Sequence, residues 1–486
     1  MYLKKFTKAP IMKKYVKPAP ELYRMKVPGI HLFLWLIFLP LSLQAQQRPN
    51  IIFILADDMG YKDLGCYGNP FNETPHLDQL ATGGMKFTQA YAAPACSPSR
   101  AAFLTGKHPA RLHLTQALGN NRIDPNSPVL PAEMVDELPS SEITLAEILK
   151  ESGYTTGIVG KWHLGNEEAV SAHAQGFDYD RIISKNGLDY YHYAISSRNQ
   201  VVFEDDGTHY LTDKLTEYGL EFLREQKGKP FFLYMAYSAP HVLIVPKADK
   251  LKKYLFKYNK FDNLYNPYYA SMIESLDDGV GAIVEQLKNS GIEDNTLIIF
   301  MSDNGGVGMA QLGPTPTSME PLRAWKGHVY EGGIRVPLIM HWQGKIQAKV
   351  VNEHYINITD FLPTILELTG VKENPNDIDG KSFLPIVLDN DASFDRGPIF
   401  WHYPHFSGQG GRPAAAVRNH DWKLVENLET GALELYNLQE DVAEKNDLSA
   451  QNQLKTKEMY SLLDTWRKSV QANMPEKNPA YKVDQK

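Results

Sequence analysis

The chain has 486 residues, more than one small hydrophobic core needs and enough for a large domain plus a smaller one. With 43% hydrophobic and 22% charged residues and no low-complexity tract, it reads as an ordinary globular protein. A net charge of -7 argues against a nucleic-acid partner, so an anionic substrate has to be met by a few local cations.

The first 45 residues read as an export signal. Lysines and one arginine between Lys4 and Lys26 precede an apolar run over residues 30–43, and Ser42, Gln44 and Ala45 suit cleavage after Ala45. The run is shorter than the ~20 residues of a membrane span, so a periplasmic or secreted protein without stable membrane insertion is expected. An uncleaved anchor is the alternative. No cysteine follows the run closely, which argues against a lipid anchor. A stretch beginning at Met25 would itself make an ordinary signal, so the start stays open between Met1, Met12 and Met25.

Short β-rich apolar runs then alternate with helical patterns. This is the mark of an α/β protein with a large mixed, mostly parallel sheet sandwiched by helices. Strands are expected over residues 50–56, 155–159, 230–236 and 296–301. The first carries Ile51, Ile52, Phe53, Ile54 and Leu55 without interruption, as a strand covered on both faces should. Helices are expected over residues 143–152, ended by Gly153, and over residues 360–369, ended by Gly370. A longer one is set by Tyr269, Met272, Ile273, Leu276, Val280, Ile283, Val284 and Leu287 at helical spacing.

From about residue 390 the pattern changes. Short strands over residues 414–418, 422–425 and 433–436 predict a smaller antiparallel sheet. Met459, Leu462, Leu463, Trp466 and Val470 mark a closing helix. The division expected is a catalytic α/β domain over residues 46–389 and a C-terminal subdomain over residues 390–486. The Gly- and Pro-rich stretch over residues 305–333 is too long for a connector and reads as a functional loop.

Polar clusters stand just past four of the strands. Asp57-Asp58 follows the first, Lys161 and His163 the second, His241 the third and Asp303-Asn304 the fourth. Ligands of open parallel sheets bind outside the carboxyl ends of the strands, so these groups are expected to converge on one rim. Asp57, Asp58, Asp303 and Asn304 offer only hard oxygen donors, which suit Ca²⁺, or Mg²⁺, rather than zinc. Three carboxylates gathered together call for such a cation. Either pair taken alone is equally a helix cap or turn.

The chain has two cysteines, Cys66 and Cys96, and in an exported protein they would ordinarily pair. Cys96, however, sits in Cys96-Ser97-Pro98-Ser99-Arg100, followed by Ala101-Ala102-Phe103-Leu104-Thr105-Gly106. This string resembles the signature that a formylglycine-generating enzyme reads in type I sulfatases of the alkaline phosphatase superfamily. The resemblance spans most of residues 49–445. It also takes in Pro49 to Asp58, Lys161-Trp162-His163-Leu164-Gly165, Pro240-His241, Ser302-Asp303-Asn304-Gly305 and Trp325-Lys326-Gly327.

The resemblance implies a sulfate ester hydrolase whose Cys96 becomes formylglycine (3-oxoalanine) through a maturation enzyme. One hydroxyl of the hydrated aldehyde would attack sulfur, and the other would expel sulfate as the aldehyde reforms. It further implies that Cys96 joins Asp57, Asp58, Asp303 and Asn304 around the cation, and that Lys161 and Lys326 clamp sulfate oxygens. Arg100 would hold the hydrated aldehyde, His241 would serve as leaving-group acid, and Asp303 and His163 would act as bases. Histidine suits such work because its ordinary pKa of about 6.5 lies near working pH.

Bacterial members of this build resemble polysaccharide sulfatases, which implies a sulfated carbohydrate substrate. Residues placed to read a sugar are His173, Asn186, Tyr190, His192, His402, His405 and Arg412, with Trp401 and Tyr403 beside them. Packing between the two domains is the competing use of those aromatics. Two rival functions remain: a formylglycine-dependent phosphonate or phosphodiester hydrolase, and an inactive carbohydrate-binding relative.

Overall fold

Strand Asn50–Ala56 is buried along its whole length, as its unbroken apolar run predicts. Its alternate side chains enter two separate cores. Ile51, Phe53 and Leu55 pack with helices Cys96–Thr105, Leu145–Glu151 and Phe361–Thr369 on one face. Ile52, Ile54 and Ala56 pack with Leu211–Glu225 and Pro267–Asn289 on the other. A strand covered on both faces has no polar side to show, and this one has none. The computed structural model describes residues 48–481, apart from 186–188, 227, 259, 261–264, 310–313, 373–374 and 376, together with Tyr15, Lys17 and Pro18. The expected export signal lies outside the described residues, as does Asn186. No described helix is long and apolar enough to cross a membrane.

Among the described residues the large sheet has eleven strands. Its order is Val350–Asn352, Met85–Tyr91, Arg335–His341, Thr296–Ser302, Asn50–Ala56, Phe231–Ala236, Thr155–Gly160, Tyr179–Lys185, Ala194–Ser197 and Gln200–Glu204, with Ile356–Asn357 also on Met85–Tyr91. The pairings from Thr296–Ser302 through to Tyr179–Lys185 are parallel, the strands on either side of this run join it antiparallel, and Val350–Asn352 and Ile356–Asn357 pair in parallel with Met85–Tyr91. The four strands expected from the sequence are four of the five in this parallel centre, each within a residue or so of its expected bounds, and Tyr179–Lys185 is the fifth.

The flanking strands carry weaker local signals. Pro337 argues against a strand inside Arg335–His341, yet the register shifts between Val336 and Leu338, so the proline sits at an irregularity where no ladder N–H is needed. Gln200–Glu204 is mostly exposed and has no hydrophobic face to betray it.

The small sheet runs Ile399–Tyr403, Ala414–Asn419, Trp422–Asn427, Leu433–Asn437, all antiparallel. One face takes the closing helix Gln453–Ser469 through Val417, Leu424, Leu435, Met459 and Leu463. The other face packs Trp401, Ala416, Val425 and Tyr436 against Tyr91, Ala95, Val329 and Ile334. Tyr91 and Ala95 lead into Cys96, and Val329 and Ile334 end the loop that carries Lys326, so the small sheet props both sides of the site.

Candidate active site

The four central parallel strands end on one edge, and the residues just past them meet there. Lys161 N–H reaches back to Ala236 O at 2.8 Å, and Asp303 N–H to Ala56 O at 3.1 Å. Gly160 makes the first contact feasible: a Cβ there would lie 1.9 Å from Ala236 O, and its φ is +118°. Asp58 takes a left-handed φ of 65°, and its N–H donates to Asp303 Oδ1 at 3.2 Å, tying the two acidic pairs together.

Cys96 is the first residue of a helix whose ten residues are all buried, so its Sγ is fixed against the rim. It stands 3.3 Å from Asp57 Oδ1 and 3.9 Å from Asp58 Oδ1, and Lys326 Nζ donates to it at 3.2 Å. Lys326 Nζ also lies 2.6 Å from Asp58 Oδ1, and Lys161 Nζ lies 2.6 Å from Asp57 Oδ2. Arg100, one helical turn past Cys96 and fully buried, turns to Asp303 Oδ2 at 2.9 Å and to the Lys161 carbonyl at 2.8 Å. His241 Nε2 is 3.5 Å from Asp58 Oδ2, and His163 Nε2 meets the Leu118 carbonyl at 3.3 Å.

This density of buried charge displaces several titrations. Burial opposes the charge of Asp57, but Lys161, His241, Arg100 and Lys326 hold it well below the usual carboxylate range. Burial, reinforced by Asp57, pushes Asp303 up to about 7. Burial also drives the Cys96 thiol far above its ordinary value, with Asp57 adding to the effect. Unmodified, Cys96 stays protonated, and a protonated thiol is a poor nucleophile. Burial, then Lys161 and Arg100, keeps His163 neutral; His241 is lowered by burial against the pull of Asp58 and Asp57.

Asp58 Oδ2 and Asn304 Oδ1 are buried here without a hydrogen-bond partner. Buried acceptors left in that state are costly, and a hard cation would satisfy both. Ligand atoms of Asp57, Asp58, Cys96 and His241 lie within 4.8 Å of one another, so the donor set fits a candidate metal site.

Residues 49–371 match the family model described as Sulfatase, and residues 324–469 match that described as N-sulphoglucosamine sulphohydrolase, C-terminal. The chain belongs to the sulfatase family. Over 384 residues it is 37% identical to the N-acetylgalactosamine-6-sulfatase of Rattus norvegicus, covering 74% of this chain and 70% of that one. It is 30% identical to a sulfatase of Formosa agariphila, covering 84% and 86%. The crystal structure of Ps i-CgsB in complex with k-i-k-neocarrahexaose superposes with a TM-score of 0.75 at 31% identity, covering 86% of this chain and 93% of that one.

The sulfatase hydrolyses sulfuric esters, and the rim gathers three cationic side chains, Lys161, Lys326 and Arg100, with two imidazoles, His163 and His241. Beside the rim is a pocket of about 270 Å³ lined in part by Lys161, His163, Asn166, Ser238 and His241. Asn166 and Ser238 went unremarked in the sequence; their only local signal is lying three residues from His163 and His241. Cys66 and Cys96 are both free thiols, so the ordinary pairing does not form.

The residues expected to read a sugar are drawn into other contacts. His173 Nδ1 bonds the Phe177 carbonyl at 3.1 Å, and His192 pairs with Asp189 at 3.5 Å. His402 is buried and bonds the Asn473 carbonyl at 2.8 Å; buried His405 bonds Thr115 Oγ1 at 2.7 Å. Tyr190 is buried, its hydroxyl donating to the carbonyls of Ser238 and His241, so it shapes the His241 loop from behind. Trp401 Nε1 donates to the Ala92 carbonyl, and the Tyr403 hydroxyl accepts from Gln116. Arg412 is paired with Glu429 and Asp124.

Proposed function

We propose that this sulfatase is exported, is matured at Cys96 to formylglycine by a dedicated enzyme, and removes sulfate from a sulfated carbohydrate. The observation that carries the reading is the meeting of Cys96, Lys326, Asp57 and Asp58 within hydrogen-bond and ion-pair distance at one sheet edge. Asp57, Asp58, Cys96, Asp303 and Asn304 would hold a calcium ion, magnesium being the alternative. When bound, the cation supplies positive charge toward sulfate oxygens and lets the carboxylates stay ionised together. The hydrated aldehyde supplies the nucleophilic hydroxyl.

The remaining work falls to side chains on the page. Lys161 and Lys326 stay charged beside Asp57 and Asp58 and bind sulfate oxygens as point charges. Arg100 braces Asp303 and the Lys161 backbone, which keeps the base and the clamp in register. The Nδ1 of His241 faces the Val242 carbonyl, so the ring gives a proton from Nε2 to the leaving oxygen only as the imidazolium, the form that Asp58 and Asp57 favour against burial. His163 Nε2 faces the Leu118 carbonyl, so its unpartnered Nδ1 holds the lone pair that takes a proton as sulfate departs.

Residues 46–389 form the catalytic domain in this reading, and residues 390–486 the subdomain that props it. The named substrates of relatives support a carbohydrate: an N-acetylgalactosamine 6-sulfate for one, a neocarrahexaose bound in another. Mass spectrometry of the Cys96 peptide from the native host tests the proposal most directly. The aldehyde mass is expected; a wholly unmodified thiol in active protein would overturn the mechanism.

A further inference from the structure

A sulfated glycan carries more than one anion, so a cation standing free beside the site would sort one glycan from another. Arg412 is not free, because Glu429 and Asp124 hold it. Arg418 is buried against Tyr91, Gln89 and the His420 carbonyl. Arg122 differs from both. It is exposed, and among the described residues none makes an ion pair or hydrogen bond with its side chain.

Its position ties it to the reacting centre twice. Leu118 N–H donates to Ser97 Oγ at 3.1 Å, next to Cys96, and the Leu118 carbonyl meets His163 Nε2 at 3.3 Å. Arg122 is four residues further on, so its Cα lies no more than about 14 Å from that of Leu118. The guanidinium rests over Gly408, where a Cβ would stand 3.1 Å from Nε and 3.2 Å from Cζ. Gln409, the next residue, accepts a hydrogen bond from Trp325 Nε1 at 2.7 Å, and Trp325 precedes Lys326. Arg122 thus sits between two segments that each run into the site.

It also borders a pocket of about 400 Å³ that contains Asn120, Asn121, His405, Glu133 and Asp136. Burial pushes His405 down to about 3, so it is neutral and Arg122 is the pocket's one cation among the described residues. Two amides and two carboxylates suit sugar hydroxyls as donors and acceptors. Glu133 and Asp136 oppose an anion deeper in the pocket, so the one guanidinium suits a single anionic group held at Arg122 itself, in a bidentate grip.

We infer that Arg122 and this pocket form a second subsite, binding a sulfate ester or a uronate carboxylate on a sugar near the one being desulfated. The inference rests on the sulfated-carbohydrate reading above. It assigns the enzyme to polyanionic glycans and gives Arg122 the role first expected of Arg412.

The test compares wild type, Arg122→Gln and Arg122→Lys on an aryl sulfate and three oligosaccharides, whose neighbouring sugar is neutral, sulfated or a uronate. Wild type should prefer a charged neighbour about tenfold in kcat/KM, mainly through KM, as one charge-assisted contact would give. High salt should erode the preference. Arg122→Gln should lose it and Arg122→Lys keep part. The arm showing the preference names the anion. Each preference is a ratio within one enzyme preparation, so loss of folded protein cancels. A wild type without the preference, or Arg122→Gln retaining it, overturns the subsite. Failure of formylglycine-bearing wild type to release sulfate from any of the three oligosaccharides overturns the underlying reading instead.

Discussion

Two regions of this sulfatase bury charge, and they treat it in opposite ways. At the seam between the sheets, Lys423 Nζ sits 2.9 Å from Glu331 Oε1 and 2.8 Å from Glu444 Oε1. Tyr91 donates to Glu331 at 2.7 Å, Arg335 adds an ion pair at 3.4 Å, and Glu444 accepts the Glu331 N–H at 2.7 Å. There each carboxylate has a cation beside it, although Glu444 Oε1 makes no hydrogen bond beyond its ion pair with Lys423. At the catalytic rim, by contrast, Asp58 Oδ2, Asn304 Oδ1, His163 Nδ1 and Arg100 Nε are buried and left without hydrogen-bond partners. Charges paired with one another hold a fold in one arrangement, whereas the rim gathers several unpartnered polar atoms at the edge where a ligand would bind.

The largest expected effect belongs to the rim. Cys96→Ala should lower turnover by more than about 10⁴-fold, since it removes the group that is to become the nucleophile, while denaturant unfolding stays near that of wild type. Turnover within tenfold of wild type would show that the rim reacts by other means. At the seam, Lys423→Met should leave turnover per folded molecule intact but cost about 3–5 kcal/mol in urea unfolding, because two carboxylates lose their shared cation. A cost below about 1 kcal/mol would mean that Lys423 pairs there no more strongly than a surface lysine.

His241→Ala sharpens the contrast within the rim. Substrates with poor leaving groups should slow by about 10²–10³-fold and activated aryl sulfates by much less, as expected of a leaving-group acid. Equal losses on both would remove His241 from that role.

The smallest effect, taken ring by ring, depends on pH and belongs to three buried histidines. Burial pushes His108 and His402 down to about 4, and His405 to about 3. Unfolded, each ring takes a proton near pH 6.5; folded, each resists it. Their contribution is therefore fully present above pH 6.5 and is lost as pH falls toward 4, by up to about 3 kcal/mol per ring. Urea unfolding at pH 7, 5.5 and 4.5 should show this slope, and His402→Gln should flatten it. A stability that stays level over that range would mean that these rings titrate alike in both states.

Much of the rim was legible because its signals are local. An unbroken apolar run ending in Asp57-Asp58 states both a doubly covered strand and what stands at its end. The same holds for Val159 before Lys161 and for Met301 before Asp303. Lys326 was legible only through the family resemblance, since the described residues of its loop form no regular element before Glu331. The flanking strands escaped notice where a proline or an exposed face hid the pattern.

Substrate reading was the least legible. Arg412 looks available in the sequence, yet one of its partners, Asp124, is 288 residues away. His402 and His405 look like surface histidines until the small sheet is built over them.

The order of residues by itself determined the α/β class and the strands of the parallel centre that end in Asp57, Asp58, Lys161, His163, His241, Asp303 and Asn304, because each follows from a run of neighbours, while Cys96 was singled out by the family resemblance. Tertiary structure alone decided which cations are already engaged and which, like Arg122, stand free. Charge pairing is settled by distance in space, and distance in space across hundreds of residues leaves no trace in local pattern.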